Sequence, residues 1–212
     1  MNRINRTLSE KRKEAIRRIL EAAAVVFAEV GFSGARMDQI AKRAGVNKAM
    51  IYYRIGDKAA LYERVLHDVF SEVATRISTN VKEGQEPEEK LKAYIHNIVK
   101  AVEQYPYMPP IMMREIASGG RNFPGMVVGD LSRILGTLME ILQEGSEKGV
   151  FVKINPLMFH VMFIAPVISL KTIELIRGKY NGLSEMLDRL YESIPASIEK
   201  EISHLALKAI KK

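Results

Sequence analysis

Two segments of barely two helical turns each stand back to back in "MDQIAKRAGVNKAMIYYRIGDKAALY", residues 37–62, closed by Gly45 and Gly56, and this punctuation constrains the fold more than any other feature. Met37, Ile40, Ala41 and Ala44 recur at the three-and-four spacing of a one-faced helix. Gly45 stops that helix by taking the left-handed conformation of a C-terminal cap. Asn47 then caps a helix over about 47–54, with Val46 and Ile51 placed as a hydrophobic staple. Ile51 and Ile55 share its inner face, so Lys48, Ala49, Tyr52 and Tyr53 point away from the core, with Arg54 at the end. Asp57 caps a longer helix whose apolar positions Leu61, Val65, Val69, Phe70, Val73 and Ile77 carry it to about Asn80.

Upstream, residues 1–8 read as an arm, and Ile16, Ile19, Leu20, Ala23, Phe27 and Val30 give a first helix that ends at Gly31, with Phe32 folding back on its last turn. Downstream, prolines and glycines divide the chain into further helices. These run from Pro87 to about Gln104, from Pro109 or Pro110 to the "SGG" at 118–120, from Pro124 to about Gly145, and from Pro156 to about Arg177. One or two more fill 183–211, broken near Pro195. No strand pattern competes, so the fold class is all-α: a three-helix N-terminal head over 1–58 and a helical body over 59–212.

Charge separates the two parts. Residues 1–64 carry 14 Lys and Arg against 7 Asp and Glu, and residues 65–212 carry 18 against 18, so the net +7 lies wholly in the head. A basic head on a neutral body is the footprint of a polyanion-binding module. There are no cysteines, which excludes disulfides, thiolate zinc sites and cysteine nucleophiles, and a cytoplasmic location is expected. The longest apolar run, Leu157 to Leu170, is interrupted by His160 and Pro166 and is shorter than the roughly 20 residues a bilayer span needs, so it reads as a buried helix and no membrane partner is expected.

Two short helices joined by a glycine turn match a helix-turn-helix, in which the second helix enters the major groove of double-stranded DNA. Tyrosine suits the rim of such a surface, its hydroxyl reaching phosphate while its ring packs on sugar, and Arg54 adds a charge-assisted contact. Lys58 opposes the dipole at the first turn of its helix, a misfit that a docked phosphate would relieve.

At these residues the chain resembles the TetR family of tetracycline-repressor-like regulators. The likeness covers Arg17 to Val65 in the order "ILEAAAVVFAEVGF", "IAKRAGV", "IYYRIGDKAALY". It implies an N-terminal DNA-binding domain, a C-terminal ligand-binding and dimerisation domain, and a homodimeric repressor that leaves a palindromic operator when a small molecule binds. By position it implies DNA contacts from Lys48, Tyr52, Tyr53, Arg54 and Lys58, with Ala49 and Met50 on the exposed recognition face. The family's usual phenylalanine is replaced by Ile55, and its frequent threonine cap by Ala35, Arg36 and Met37, leaving Arg36 as a phosphate contact instead.

No motif in the body names a ligand. Tyr107, Met108, Met112, Met113, Phe123 and Met126, with Met158 and Met162 on the later apolar helix, offer a pliable lining for an apolar effector. His96, Arg114, Glu115 and His160 are the polar groups able to orient it. No metal-ligand spacing, phosphate-binding loop or nucleophile motif occurs, so no metal, cofactor or catalysis is expected. The competing reading is a small-molecule carrier or enzyme whose basic head binds an acidic protein or a membrane surface.

Overall fold

Capping and periodicity set the helices of this computed structural model. It describes residues 2–84, 86–179, 185–194 and 197–212, and the side chains of these except 2–9, 83, 175–179 and 185–188. The helices are α1 (Asn2–Gly34), α2 (Met37–Ala44), α3 (Lys48–Arg54), α4 (Lys58–Glu83), α5 (Pro87–Gln104), α6 (Met108–Ala117), α7 (Gly125–Glu147), α8 (Pro156–Lys179), α9 (Glu185–Glu192) and α10 (Ile198–Ile210). Helix α1 begins at Asn2, where an arm was expected, and is broken at Gly31, whose φ of 72° and ψ of 175° end its regular run. The break near Pro195 lies outside the described residues.

The chain packs as two compact units, Met1–Val69 with Pro110–Val128, and Phe70–Pro109 with Gly129–Lys212. Residues 110–128 thus pack in the same unit as the head. In this first unit Ile19, Ala23, Phe27, Ile40, Ile51, Leu61 and Leu66 are fully buried. Phe27 meets Tyr62 edge-on at 4.7 Å, and Phe32 lies over Phe27 at 6.4 Å, the fold-back expected after Gly31. Arg114 of α6 donates from Nη2 to the Glu29 carbonyl at 2.8 Å and from Nε to that of Ala28 at 3.3 Å, placing a cation on carbonyls of the turn that precedes the Gly31 break. The Tyr62 hydroxyl donates to Glu115 Oε1 at 2.7 Å in the interior, and the phenol's pKa is raised first by burial and then by that carboxylate. Arg114 and Glu115, read from sequence as candidate effector contacts, are thus tied up in packing α6 within this unit.

In the second unit α5 lies against α8 and α10. Leu91, Val99, Leu138, Ile141, Phe159, Ala206 and Ile210 supply its core. An isolated antiparallel bridge joins Phe151 to Lys211, with Val152 N–H donating to the Ile210 carbonyl at 2.7 Å. Gly145 makes room for Phe151: a Cβ built there would stand 2.0 Å from the buried ring's Cδ2. At Gly136, also within α7, a Cβ meets nothing within 4 Å. Gly136→Ala should therefore stabilise the protein by about 0.5–1 kcal/mol through helix propensity. Gly145→Ala should destabilise it by about 2 kcal/mol as the ring is forced out of its packing. Urea midpoints of the two variants, moving in opposite directions, check this pair.

The apolar run expected to be a buried helix forms α8, but Leu157, Met158, Val161 and Met162 stand half or more exposed along one stripe, and only 17% of the apolar window Pro156–Glu174 is buried. By length and composition that window could cross a bilayer. The buried side, with Phe159, Val167 and Ile168, packs against protein.

Candidate nucleic-acid interface

A helix that reads DNA needs one face held rigidly and the other free, and α3 is built that way. Its N-terminus is fixed by Asn47, whose Oδ1 accepts from the Ala49 amide at 2.9 Å. Its centre is anchored by Ile51, which has no exposed surface. Before it, Gly45 adopts φ 64° and ψ 39°, and its amide donates back to the α2 carbonyls, closing the turn between the two helices. Ile55, expected to share the inner face, falls instead at the C-cap with φ −126° and is only half-buried, because the helix has already ended at Arg54.

Most of the residues expected to meet DNA are brought together on the open side. Tyr53 is 82% exposed, Tyr52 47% and Met50 39%, with Ala49 exposed beside them. The Arg54 guanidinium lies 5.2 Å from the Tyr53 ring centroid, a cation stacked on an aromatic face. Lys48 Nζ pairs with Asp38 at 3.0 Å, and that carboxylate holds its ammonium above the usual lysine range. Arg36 is exposed at the N-cap of α2 with no side-chain capping bond, as expected where the threonine is lacking.

Lys58 differs. Its ammonium donates to the Ala35 carbonyl at 3.2 Å and sits 4.6 Å from the centroid of Phe32. The mismatch with its helix dipole is thus already relieved inside the head, without any anion. Sequence reading also missed the clamp that orients α2, in which both terminal nitrogens of Arg43 meet the Glu29 carboxylate at 2.9 Å. A pair fourteen residues apart leaves no local signal.

The expected effector residues are divided between the two units. Met112, Met113, Glu115, Phe123 and Met126 belong to the first unit; His96, Tyr107, Met108, Met158 and Met162 belong to the second. Met113 and Met126 are exposed and Met108 is buried. Tyr107 stands edge-on to Tyr105, and His96 Nδ1 lies 2.9 Å from Glu199. The second unit instead holds a small cavity, ≈ 20 Å³ open to a water-sized sphere, lined by residues including Tyr94, Ile98, Phe159, His160, Phe163 and Ile164. Tyr94 Oη and His160 Nδ1 are hydrogen-bonded at 2.8 Å. Burial pushes the His160 imidazole down to about 4 and raises the Tyr94 phenol, so both are neutral at pH 7.

Comparison with known proteins adds a second line of observation. Residues 19–65 match the family model described as bacterial regulatory proteins, tetR family, and residues 66–166 match the C-terminal region of YcdC-like proteins. The chain is 28% identical over 160 residues to the HTH-type transcriptional regulator RutR of Escherichia coli K12, covering 76% of this chain and 72% of RutR. It is 30% identical over 135 residues to the HTH-type transcriptional repressor NicS of Pseudomonas putida, covering 63% of this chain and 64% of NicS. A crystal structure of a TetR family regulator from Marinobacter aquaeolei superposes with a TM-score of 0.71 at 20% identity, over 96% of this chain and 99% of that one.

Proposed function

The chain belongs to the tetR family of bacterial regulatory proteins, a family of ligand-responsive DNA-binding repressors, and from that premise we propose how its own residues do the work. The observation that carries the proposal is the open face of α3, where Met50, Tyr52, Tyr53 and Arg54 stand over a fully buried Ile51 in the basic third of the chain. Residues 1–58 form the DNA-binding domain in the cytoplasm, and Ala49 and Met50 approach base edges. Tyr52, Tyr53, Arg54 and Arg36 hold the phosphates to either side, joined by Lys48 and Lys58 once each exchanges its internal partner for a phosphate oxygen.

Residues 59–212, apart from the 110–128 segment that packs with the head, supply the ligand-binding and dimerisation body. One short helix reads few base pairs, whereas two related by a twofold axis and about 34–36 Å apart read both halves of a palindrome. The exposed stripe of α8, with Leu205 of α10, supplies the apolar surface for that pairing, and this gives Met158 and Met162 an interface role in place of a pocket role. Val161→Asp would set a charge in each half of the interface. It should weaken dimerisation by at least about 100-fold, since burying such side chains contributes about 1.5–3 kcal/mol each; sedimentation equilibrium reads the outcome.

A small, largely apolar effector binds between α5 and α8 only by spreading these helices, since the cavity now there, walled by aromatic and branched side chains around the neutral Tyr94–His160 pair, has room for about one water. To act, it must bind the DNA-free arrangement more tightly than the DNA-bound one. The proposed function is tested by a gel shift of the full-length protein with DNA from upstream of its own gene. A discrete complex at moderate salt supports a repressor acting there; no shift at moderate salt favours the carrier or enzyme reading.

A further inference from the structure

In α4, Arg76 holds a guanidinium in which two of the three nitrogens are idle. Nη1 donates to Gln104 Oε1 at 2.8 Å and lies 3.6 Å from Glu72 Oε1, a carboxylate that also accepts from the Tyr105 hydroxyl. Nε and Nη2 are shielded from water and have no hydrogen-bond partner, and among the described residues they are the only buried side-chain nitrogens or oxygens left so. A guanidinium cannot shed its proton to escape this, and charged donors shut away without an acceptor are costly. The two idle groups are neighbours on one edge of the planar fork. Their N–H bonds run parallel at the spacing of the two oxygens of a carboxylate.

Arg76 lines a cleft of ≈ 480 Å³ between α4 and α5, separate from the apolar cavity and sharing no lining residue with it. The other walls are polar: Asn80 one turn further along α4, and His96, Asn97, Lys100, Glu103 and Gln104 on α5. Asn97 is buried, accepting from Asn80 at 3.2 Å and donating to the Ala93 carbonyl. Lys100 is paired with Glu103 at 3.0 Å, and His96 with Glu199 of α10 at 2.9 Å. The carboxylates of the cleft thus have partners, while the fork of Arg76 has none on its free edge. Lys100, Glu103 and Gln104 at the rim are exposed and the Arg76 side chain keeps 31% of its surface open, so binding calls for a rotamer change of Arg76 that turns its covered Nε and Nη2 edge to the cleft.

We propose that this cleft binds a small polar carboxylic acid, of the amino-acid or hydroxy-acid kind, whose carboxylate takes the Nε and Nη2 edge of Arg76 while its other polar groups meet Asn80, Gln104 and Lys100. An amide-lined wall favours hydrogen-bonding substituents over a hydrocarbon tail. The proposal concerns binding alone, and its test contains no DNA, so its failure leaves the reading of α3 untouched.

The test is titration calorimetry and thermal unfolding of the full-length protein with sodium malate, sodium glutamate, sodium phosphate and, at matched ionic strength, sodium chloride. Malate or glutamate at about 10 mM should raise the unfolding midpoint by several degrees beyond the chloride control. Arg76→Lys keeps the charge without the fork and should lose about ten-fold or more in affinity. Asn80→Leu, which leaves the guanidinium in place, should also weaken binding. Carboxylates no better than chloride, a response limited to phosphate, or full affinity in both variants would overturn the proposal.

Discussion

Ala49→Glu should reduce operator affinity by more than about 100-fold while leaving the protein folded. Ala49 is exposed on the first turn of α3, the end of a recognition helix that comes nearest the base edges. A carboxylate there is compatible with the free protein, because a negative charge near a helix N-terminus is stabilised by the helix dipole. Against DNA it brings a fixed anion into the phosphate field, and the loss of counterion release and the repulsion act together. Ala49→Ser, of similar size and neutral, should stay within a few-fold of the parent. Fluorescence anisotropy on the upstream duplex, with a melting curve for each variant, checks both halves. Equal affinity in the glutamate variant would place the DNA elsewhere.

The second large effect is acid sensitivity through His160. Its folded pKa of about 4 lies below the ordinary histidine value because burial disfavours the imidazolium. Between about pH 6.5 and pH 4 the unfolded chain therefore binds the proton that the folded chain refuses, so stability rises with pH across that window. The contribution is complete above about pH 6.5 and is lost as the pH falls through about 4. Discounted for partial exposure of the ring, it amounts to about 2 kcal/mol. His160→Gln keeps a hydrogen-bond partner for Tyr94 but does not titrate. The fall in urea midpoint from pH 7 to pH 5 should be clearly smaller in this variant than in the parent, and identical falls would show that the ring is solvated.

The two predictions draw on parts of the molecule that were unequally legible in the sequence. In the head the signals are local. Gly45 at a left-handed cap, Asn47 and Asp57 as N-caps, and Ile51 on a two-turn helix each act within four residues, and they mark α2, α3 and the start of α4 where the structure has them. Pro87 and Pro156 open α5 and α8 for the same reason, at positions where a missing amide proton costs nothing. Long-range pairs left no such trace. The Tyr62 to Glu115 hydrogen bond spans 53 residues and the Arg114 contacts 85 and 86, so periodicity could not reveal that residues 110–128 pack with the head. The same limit hid the Ala35 carbonyl that occupies Lys58, which helix polarity alone read as waiting for an anion. An apolar helix such as α8 reads alike whether its stripe faces a core or a second copy. A run of methionines likewise does not say which of them face inward.

The most direct test of α3 as the DNA-reading element exploits a chain that has no cysteine. Met50→Cys on the exposed face of α3, and separately Lys153→Cys on the exposed surface of the second unit, can each carry a tethered iron chelate that cuts nearby DNA. With the upstream duplex bound, the chelate at position 50 should cut at two clusters related by the operator's dyad and about one helical turn apart, and the chelate at position 153 should leave those positions intact. Cutting from position 153 with none from position 50 would contradict the assignment of α3 to the groove.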